Sequence, residues 1–370
     1  MSRSLPPVSR LVVKVGSSAL VDAAGRIAPR RLGKIAGEVA AAGRQCVLVS
    51  SGAIAAGLGP LGLTRRPRDM ATLQAAAAVG QVHLAESYAR VFARRGLVAA
   101  QVLLTQDDVI RRRHYVNARQ TLERLLRAGV VPVVNENDTV ATDEIRFGDN
   151  DRLAAMVAVM TGADLLVLLS DVDGIYDRDP RKGGAVLLHE VADPFAVDAT
   201  GPGTGIGSGG MASKLEAAGI ASSAGIGVVV AAASTRGVIE RILAGEELGT
   251  WVPPRGSRRK GRKAWIGFVI GPRGRVLVDE GAERAVREQG RSLLAAGVTG
   301  VEGEFSAGDP VDVAGPGGRP FARGIANYSS RELPKLAGRS SAELTSLPGG
   351  PYDREVIHRD ELVVVERWGR

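Results

Sequence analysis

Two polar clusters lie close together in this 370-residue chain. Asn135-Glu136-Asn137-Asp138 follows the apolar run Val130-Val131-Pro132-Val133-Val134, and Phe147-Gly148-Asp149-Asn150-Asp151 opens a helical pattern over 153–160. An apolar, β-branched run that ends in acids and amides reads as a buried strand delivering polar side chains to the open edge of a sheet. A turn and a helix cap account for one such cluster, but less comfortably for two. Lysine is scarce, seven against 41 arginines. Two of the seven sit in Gly/Ser settings: Lys14 in Lys-Val-Gly-Ser-Ser, and Lys214 at the end of Gly209-Gly210-Met211-Ala212-Ser213-Lys214. A chain that mostly uses arginine keeps lysine where a compact ammonium is wanted. Glycine-rich backbone ahead of a helix can cradle phosphate, because its free N–H groups and the helix dipole both favour an anion. Taken singly, a strand-end lysine and a loop rich in glycine are the plainer readings; both lysines falling at polar element ends shifts the balance toward chemistry.

Other chemistries find little support. No Walker A sequence is present, since Gly33-Lys34 lacks both the preceding glycine and the following Ser or Thr. Gly205, Gly207 and Gly210 fit G-x-G-x-x-G, but no strand runs directly into them. His83, His114, His189 and His358 are scattered without metal-ligand spacing. Ser51 has no obvious histidine partner for a hydrolytic triad. What remains is an anion site made of lysines, acids and Asn, with no evident general base. Phosphoryl transfer to a carboxylate needs that inventory, because an acceptor with a pKa of roughly 4 is already ionised at neutral pH. Its difficulty is bringing two anions together, which calls for ammonium groups and Mg2+.

The elements that must position these residues alternate. Strands are expected at 11–15, 45–50, 98–104, 130–134, 165–169 and 227–231, with helices at 30–42, 72–94, 115–128, 153–160, 211–223 and 235–243. Such alternation predicts an α/β fold with a mostly parallel sheet sandwiched by helices. The polar groups after Val15, Ser50, Val134 and Leu169 then lie at strand carboxyl ends and should converge. Beyond Trp251 and Pro253-Pro254 the texture changes to short β-like runs with Gly-Pro turns, including 266–270, 275–278, 309–313 and 321–328, and a helix at 283–288. The expected organisation is a first domain over 1–252, a basic linker over 253–263, a small β-rich domain over 264–350 and a tail over 351–370.

The net charge of +8 is local. Residues 253–263 carry +6, residues 1–252 carry +3 and residues 264–370 carry −1. A solvated linker is favoured over a nucleic-acid contact. One cysteine, Cys46, excludes an intramolecular disulfide and suits a reducing cytoplasm; no apolar run reaches bilayer length.

Lys14-Val-Gly-Ser-Ser, Ser50-Ser51-Gly52-Ala53-Ile54-Ala55-Ala56-Gly57, Asn135-Glu136-Asn137-Asp138, Gly148-Asp149-Asn150-Asp151 and Gly209-Gly210-Met211-x-x-Lys214 together resemble the amino acid kinase family, in order from 11 to 250. The set is most similar to the branch that phosphorylates L-glutamate on its γ-carboxylate, at the start of proline synthesis. Residues 272–349 look like a PUA domain. The resemblance implies that Lys14 and Lys214 hold the ATP phosphates and stabilise the migrating phosphoryl group, with Asp151 orienting both lysines. Ser51, Asp138 and Asn150 would bind glutamate. Ser170, Asp171, Ser208, Gly209, Gly210, Met211, Ala212, Ser213 and Lys214 would line the ATP site, where Ser170 and Ser213 stand in for the threonines common in the family. Mg2+ is implied with ATP, its protein ligands unassigned. Also implied are a homo-oligomer, feedback inhibition by proline and hand-over of product to a glutamyl phosphate reductase. An RNA-binding protein acting through the PUA-like part is the alternative, set behind by that part's charge of −1.

Overall fold

The structure, a computed structural model, describes residues 3, 5–22, 26–140, 150–178, 183–197, 210–256, 263, 266, 271–344, 352 and 354–365. It divides into two compact units, Met1–Val109 with Arg113–Arg258, and Arg259–Arg370 with Ile110–Arg112.

The first unit is built on seven strands: β1 (Arg10–Val15), β2 (Gln45–Ser50), β3 (Ala99–Leu104), β4 (Val131–Glu136), β5 (Leu165–Ser170), β8 (Gly227–Ala232) and β9 (Thr250–Val252). Their order is β3-β4-β2-β1-β5-β8-β9, parallel except for the last pair. A two-stranded antiparallel ribbon of β6 (Ile175–Tyr176) and β7 (Leu187–Leu188) packs beside β9, where Thr250 Oγ1 accepts from the Ile175 N–H and donates to the Leu188 carbonyl. Parallel strands need crossovers, which the helices supply. These are α1 (Pro29–Ala41), α2 (Ala53–Leu58), α3 (Met70–Ala93), α4 (Gln106–Ile110), α5 (Arg112–Arg127), α6 (Asn150–Thr161), α7 (Met211–Ser223) and α8 (Val238–Leu243).

Strand period 2 sorts the side chains into two layers. Leu11, Val13 and Val15 of β1 join Leu48, Val133 and Val167 in a core shared with α1, α3 and α8. Val12 and Lys14 therefore point to the opposite face, where α6 crosses β1, β2, β4 and β5 with α7 beside it. The strands at the centre are continuous apolar runs because both faces are covered, and Leu11, Val12 and Val13 have no solvent exposure. Each such side chain contributes about 1.5–3 kcal/mol on burial.

β1 is also where the winding reverses. Its successor β2 lies on one side and β5 on the other. Chain crossing in opposite directions from adjacent strands opens a crevice at their carboxyl ends. Lys14 pairs in register with Val49 and Leu168, so it stands at that crevice.

The second unit has its own core of Val276, Val311, Val313, Phe321, Leu333 and Val356, among others. Five strands, β10 (Gly274–Val278), β11 (Val298–Gly303), β12 (Pro310–Ala314), β13 (Pro320–Ile325) and β14 (Leu362–Val364), run in the order β11-β10-β12-β13-β14. Helices α9 (Glu280–Arg287), α10 (Leu333–Leu336) and α11 (Ser341–Leu344) complete it. The expected tail over 351–370 needs correction here. Leu362–Val364 pairs antiparallel with β13, and Val356 and Ile357 are fully buried. An apolar run of this kind finds its stability by closing a sheet edge, so this stretch belongs to the unit. The β-like run at 266–270 lies outside the described residues apart from Ile266, which is buried. Among the described residues no helix is long and apolar enough to cross a membrane.

Candidate active site

The strand carboxyl ends of the first unit surround a cleft of about 370 Å3. Lys14, Gly16, Ser17 and Ser18 enter from the end of β1, Ser51 to Ala55 from β2 and α2, Asn135, Glu136 and Asp138 from β4, and Leu169, Ser170 and Asp171 from β5. Asn150 and Lys214 reach it from the first turns of α6 and α7. The polar clusters do converge.

At its floor lies Asp151, without solvent exposure. Its Oδ1 is 2.6 Å from Lys14 Nζ and its Oδ2 is 3.1 Å from Lys214 Nζ. Both lysines are themselves only 4% and 6% exposed. Three charges buried together carry a large desolvation cost, which the pairing offsets only while all three are present. Both lysines that flank this carboxylate also line the cleft. Asp151 falls in the first turn of α6, where the helix dipole also favours a carboxylate. The sequence pattern starts this helix at Leu153; it starts at Asn150, so Asn150 and Asp151 are inside the first turn. Ser213 Oγ lies within donating distance of Asp151 Oδ2, at 3.2 Å, and of the Gly210 carbonyl, at 2.8 Å. Beside this floor, Arg152 of α6 donates from Nε to Glu216 of α7 at 2.7 Å, tying the two helices together. Burial pushes the Glu216 carboxyl above its ordinary range despite that arginine.

A second set of contacts fixes the acceptor side. Asn150 Nδ2 lies within donating distance of the Ser50 carbonyl at 2.6 Å, Asn135 Oδ1 at 2.8 Å and Ser51 Oγ at 3.0 Å, three acceptors sharing its two N–H groups. Asn135 Oδ1 also accepts from the Glu136 backbone N–H at 2.9 Å. A backbone carbonyl can only accept and a backbone N–H can only donate, so these two contacts fix which way each amide faces. Asn150 Oδ1 is then the atom left as an acceptor, and the Ser51 hydroxyl, already accepting, has its proton to give. An ammonium suits the first and a carboxylate the second. Asp138 lines the same cleft as a further carboxylate.

Small residues make the wall of α2 possible. Gly52 has φ +103°, in the left-handed region that favours glycine, and leads into the helix. A Cβ on Gly57 would lie 1.8 Å from the Ala76 carbonyl oxygen, and one on Gly80 1.8 Å from that of Ala53. The two glycines let α2 and α3 touch backbone to backbone, which seats Ser51 to Ala55 at the cleft.

Of the nucleotide-site residues expected from the sequence, Lys14, Ser170, Asp171 and Lys214 line the cleft. Ser170 Oγ donates to Asp171 Oδ1 at 3.1 Å. Gly210, Met211, Ala212 and Ser213 form the cap and first residues of α7. Ser208 and Gly209, like Phe147, Gly148 and Asp149, lie outside the described residues. Sequence reading passed over Arg66, which reaches the cleft from between α2 and α3; nothing in Arg65, Arg66 and Arg68 distinguishes it locally. It also gave Asn135 no role and overlooked Gln81 and Tyr88 of α3. The Tyr88 hydroxyl is 2.9 Å from Ser50 Oγ, and burial pushes its pKa well up. A polar residue on the buried face of a helix was the available signal for both.

Residues 9–232 match the model of the amino acid kinase family, which is more than half of the chain. The chain belongs to the amino acid kinase family. Residues 274–347 match the PUA domain. The chain is 54% identical over 361 residues to a glutamate 5-kinase of Frankia casuarinae, covering 96% of each chain. It is 52% identical to a glutamate 5-kinase of Streptomyces coelicolor, covering 96% of each, and 48% identical to one of Myxococcus xanthus, covering 98% of each. This amino acid kinase therefore spans nearly the full length of these relatives, both units included.

Proposed function

We propose that the protein is a glutamate 5-kinase, transferring the γ-phosphoryl group of ATP to the γ-carboxylate of L-glutamate to give L-glutamyl 5-phosphate, the first step of proline synthesis from glutamate. The carrying observation is Asp151 between the ammoniums of Lys14 and Lys214 at the floor of a cleft that also holds Asp138. A carboxylate oxygen attacks the γ-phosphorus, the bond to the β,γ-bridging oxygen breaks, and ADP leaves. No proton moves, so the transfer needs no general base. Lys14 and Lys214 lie against the phosphoryl oxygens and take up the charge that builds as the two anions meet. Asp151 keeps the two ammoniums apart and directed. Asp138 and Asn150 Oδ1 take the α-ammonium of glutamate, and Ser51 with the N–H groups opening α2 takes a carboxylate.

Ser170, Asp171 and residues 208–214 bind ATP. Among the described residues no three acids, His or Cys gather as a metal site; Mg2+ brought with the nucleotide would supply charge neutralisation at its phosphates. Chelation by EDTA is expected to abolish turnover and excess Mg2+ to restore it.

Asp138 also sets the choice of acceptor. An N-acetylated substrate would not offer Asp138 the α-ammonium that free glutamate brings, so free glutamate is preferred over N-acetylglutamate. Trapping the acyl phosphate with hydroxylamine, in ATP, Mg2+ and each of glutamate, aspartate and N-acetylglutamate, tests the reading; preference for N-acetylglutamate would end it.

The same reading places the chain in the cytoplasm as a homo-oligomer through its first unit, handing a labile product to a glutamyl phosphate reductase. Proline carries the α-carboxylate and a cationic nitrogen that this site reads but no γ-carboxylate, so it raises the glutamate KM when added.

A further inference from the structure

Helix α3 touches the acceptor site without lining the cleft. Gln81 Oε1 accepts from Asn135 Nδ2 at 2.7 Å. Asn135 Oδ1 accepts from Asn150 Nδ2 at 2.8 Å, and Asn150 Nδ2 continues to Ser51 Oγ at 3.0 Å. Asn150 Nδ2 donates both ways, to Asn135 Oδ1 on one side and to Ser51 Oγ on the other, and Asn135 Nδ2 carries the contact on to Gln81. Asn135 points toward the α3 layer, as do Val131 and Val133 two and four residues before it. Asn150 belongs to α6 in the opposite layer. The chain of bonds therefore crosses the end of β4 and joins the two helix layers.

Asn135 is only 2% exposed. Its Oδ1 is held by the Glu136 N–H and by Asn150, while its Nδ2 is held by Gln81. Without Gln81 a buried amide N–H loses this acceptor, and the cheapest remedy is a turn of the Asn135 side chain toward another one. That turn withdraws Oδ1 from Asn150, whose amide then relaxes away from Ser51. Seven residues on, Tyr88 of the same helix face grips Ser50 at 2.9 Å, so the backbone of β2 stays where it is.

We infer that Gln81 is a positioning residue for the acceptor amino acid, acting through Asn135 on Asn150 and Ser51. This rests on the reading of the cleft as a glutamate site. It separates the two substrates: the relay stops at Asn150 and Ser51 and does not touch the lysines on Asp151.

The experiment compares full-length wild type with Gln81→Met and Gln81→Glu, alone and in an Asn150→Ala background. Gln81→Met, of similar shape but without the oxygen, raises the glutamate KM about tenfold, with the ATP KM and kcat within about twofold. Gln81→Glu keeps an acceptor oxygen and stays within about threefold of wild type. With Asn150→Ala the relay is already cut, so adding Gln81→Met lowers kcat/KM for glutamate by less than about twofold more. A rise in the ATP KM equal to that for glutamate, a loss in Gln81→Glu as large as in Gln81→Met, or a full effect on top of Asn150→Ala overturns the inference. Normal kinetics in Gln81→Met overturns it alone; a wild-type protein that forms no acyl phosphate from glutamate overturns the substrate reading and the inference with it.

Discussion

The Asp151 carboxylate, without solvent exposure, faces two ammoniums and the Ser213 hydroxyl. Its removal leaves two like charges buried side by side, so Asp151→Asn damages the positions of both lysines as well as the local charge. Lys214→Ala is expected to lower kcat by about 10²–10³ while changing the glutamate KM only a few-fold, because its contact strengthens as charge develops on the phosphoryl group. Asp138→Asn has the opposite signature. It raises the glutamate KM about tenfold or more and leaves kcat much less affected, since a charged contact to the ammonium is present before and during transfer. Steady-state kinetics in both substrates separates the two patterns. Cys46 is a control for the same interior. Burial pushes its thiol up to about 12, so the native protein should not react with a disulfide reagent at pH 8, and reaction should appear only on unfolding. Rapid labelling of folded protein would show that β2 opens far more readily than its packing implies.

Helices α6 and α7 deliver their first turns to one point, and α2 and α3 shape the wall opposite. The crossing of α2 and α3 depends on Gly57 and Gly80, each of which has backbone where a methyl group would go. Gly57→Ala or Gly80→Ala must push the helices apart, at a cost of about 3 kcal/mol or more. Urea denaturation measures this as a lowered midpoint with unchanged slope. Displacement of α2 also moves Ser51 to Ala55, so glutamate turnover should fall in whatever fraction stays folded. A midpoint within error of wild type would mean that the helices do not meet this closely.

Two units with separate cores need not share one task. The described residues that line the cleft all belong to the first unit, from β1 through the start of α7. A chain ending at Arg258 should therefore retain detectable glutamate phosphorylation; complete loss in a still-folded fragment would give the second unit a direct part in catalysis. That unit holds a buried pair, Arg323 Nε to Asp312 Oδ1 at 2.8 Å. It ties β12 to β13 within one sheet, which is a structural task. Basic residues cluster over 253–263 and residues 264–370 carry a net charge of −1, a balance that does not favour nucleic-acid binding by the second unit.

The alternation of apolar runs and helical periods sufficed for the layered sheet, because burial on both faces writes itself into the strand composition. Lys14, Ser51, Asp138, Asn150, Asp151 and Lys214 stood out for a related reason: polar residues clustered where apolar strands end or helices begin have few structural explanations, although Asn135, in one of those clusters, was given no role. Local pattern is silent on contacts between residues far apart in the chain. That Asp151 stands between Lys14 and Lys214, that Gln81 holds Asn135 from the far side of the sheet, and that Gly57 meets the backbone of α3 all depend on strand order and on which face each side chain takes. The same holds for Leu362–Val364, whose apolar run could have trailed as a tail until a neighbouring strand edge gave its backbone partners. Folding brings these partners together by winding β1 between β2 and β5, and that placement follows from how all the helices pack, not from any one stretch of residues.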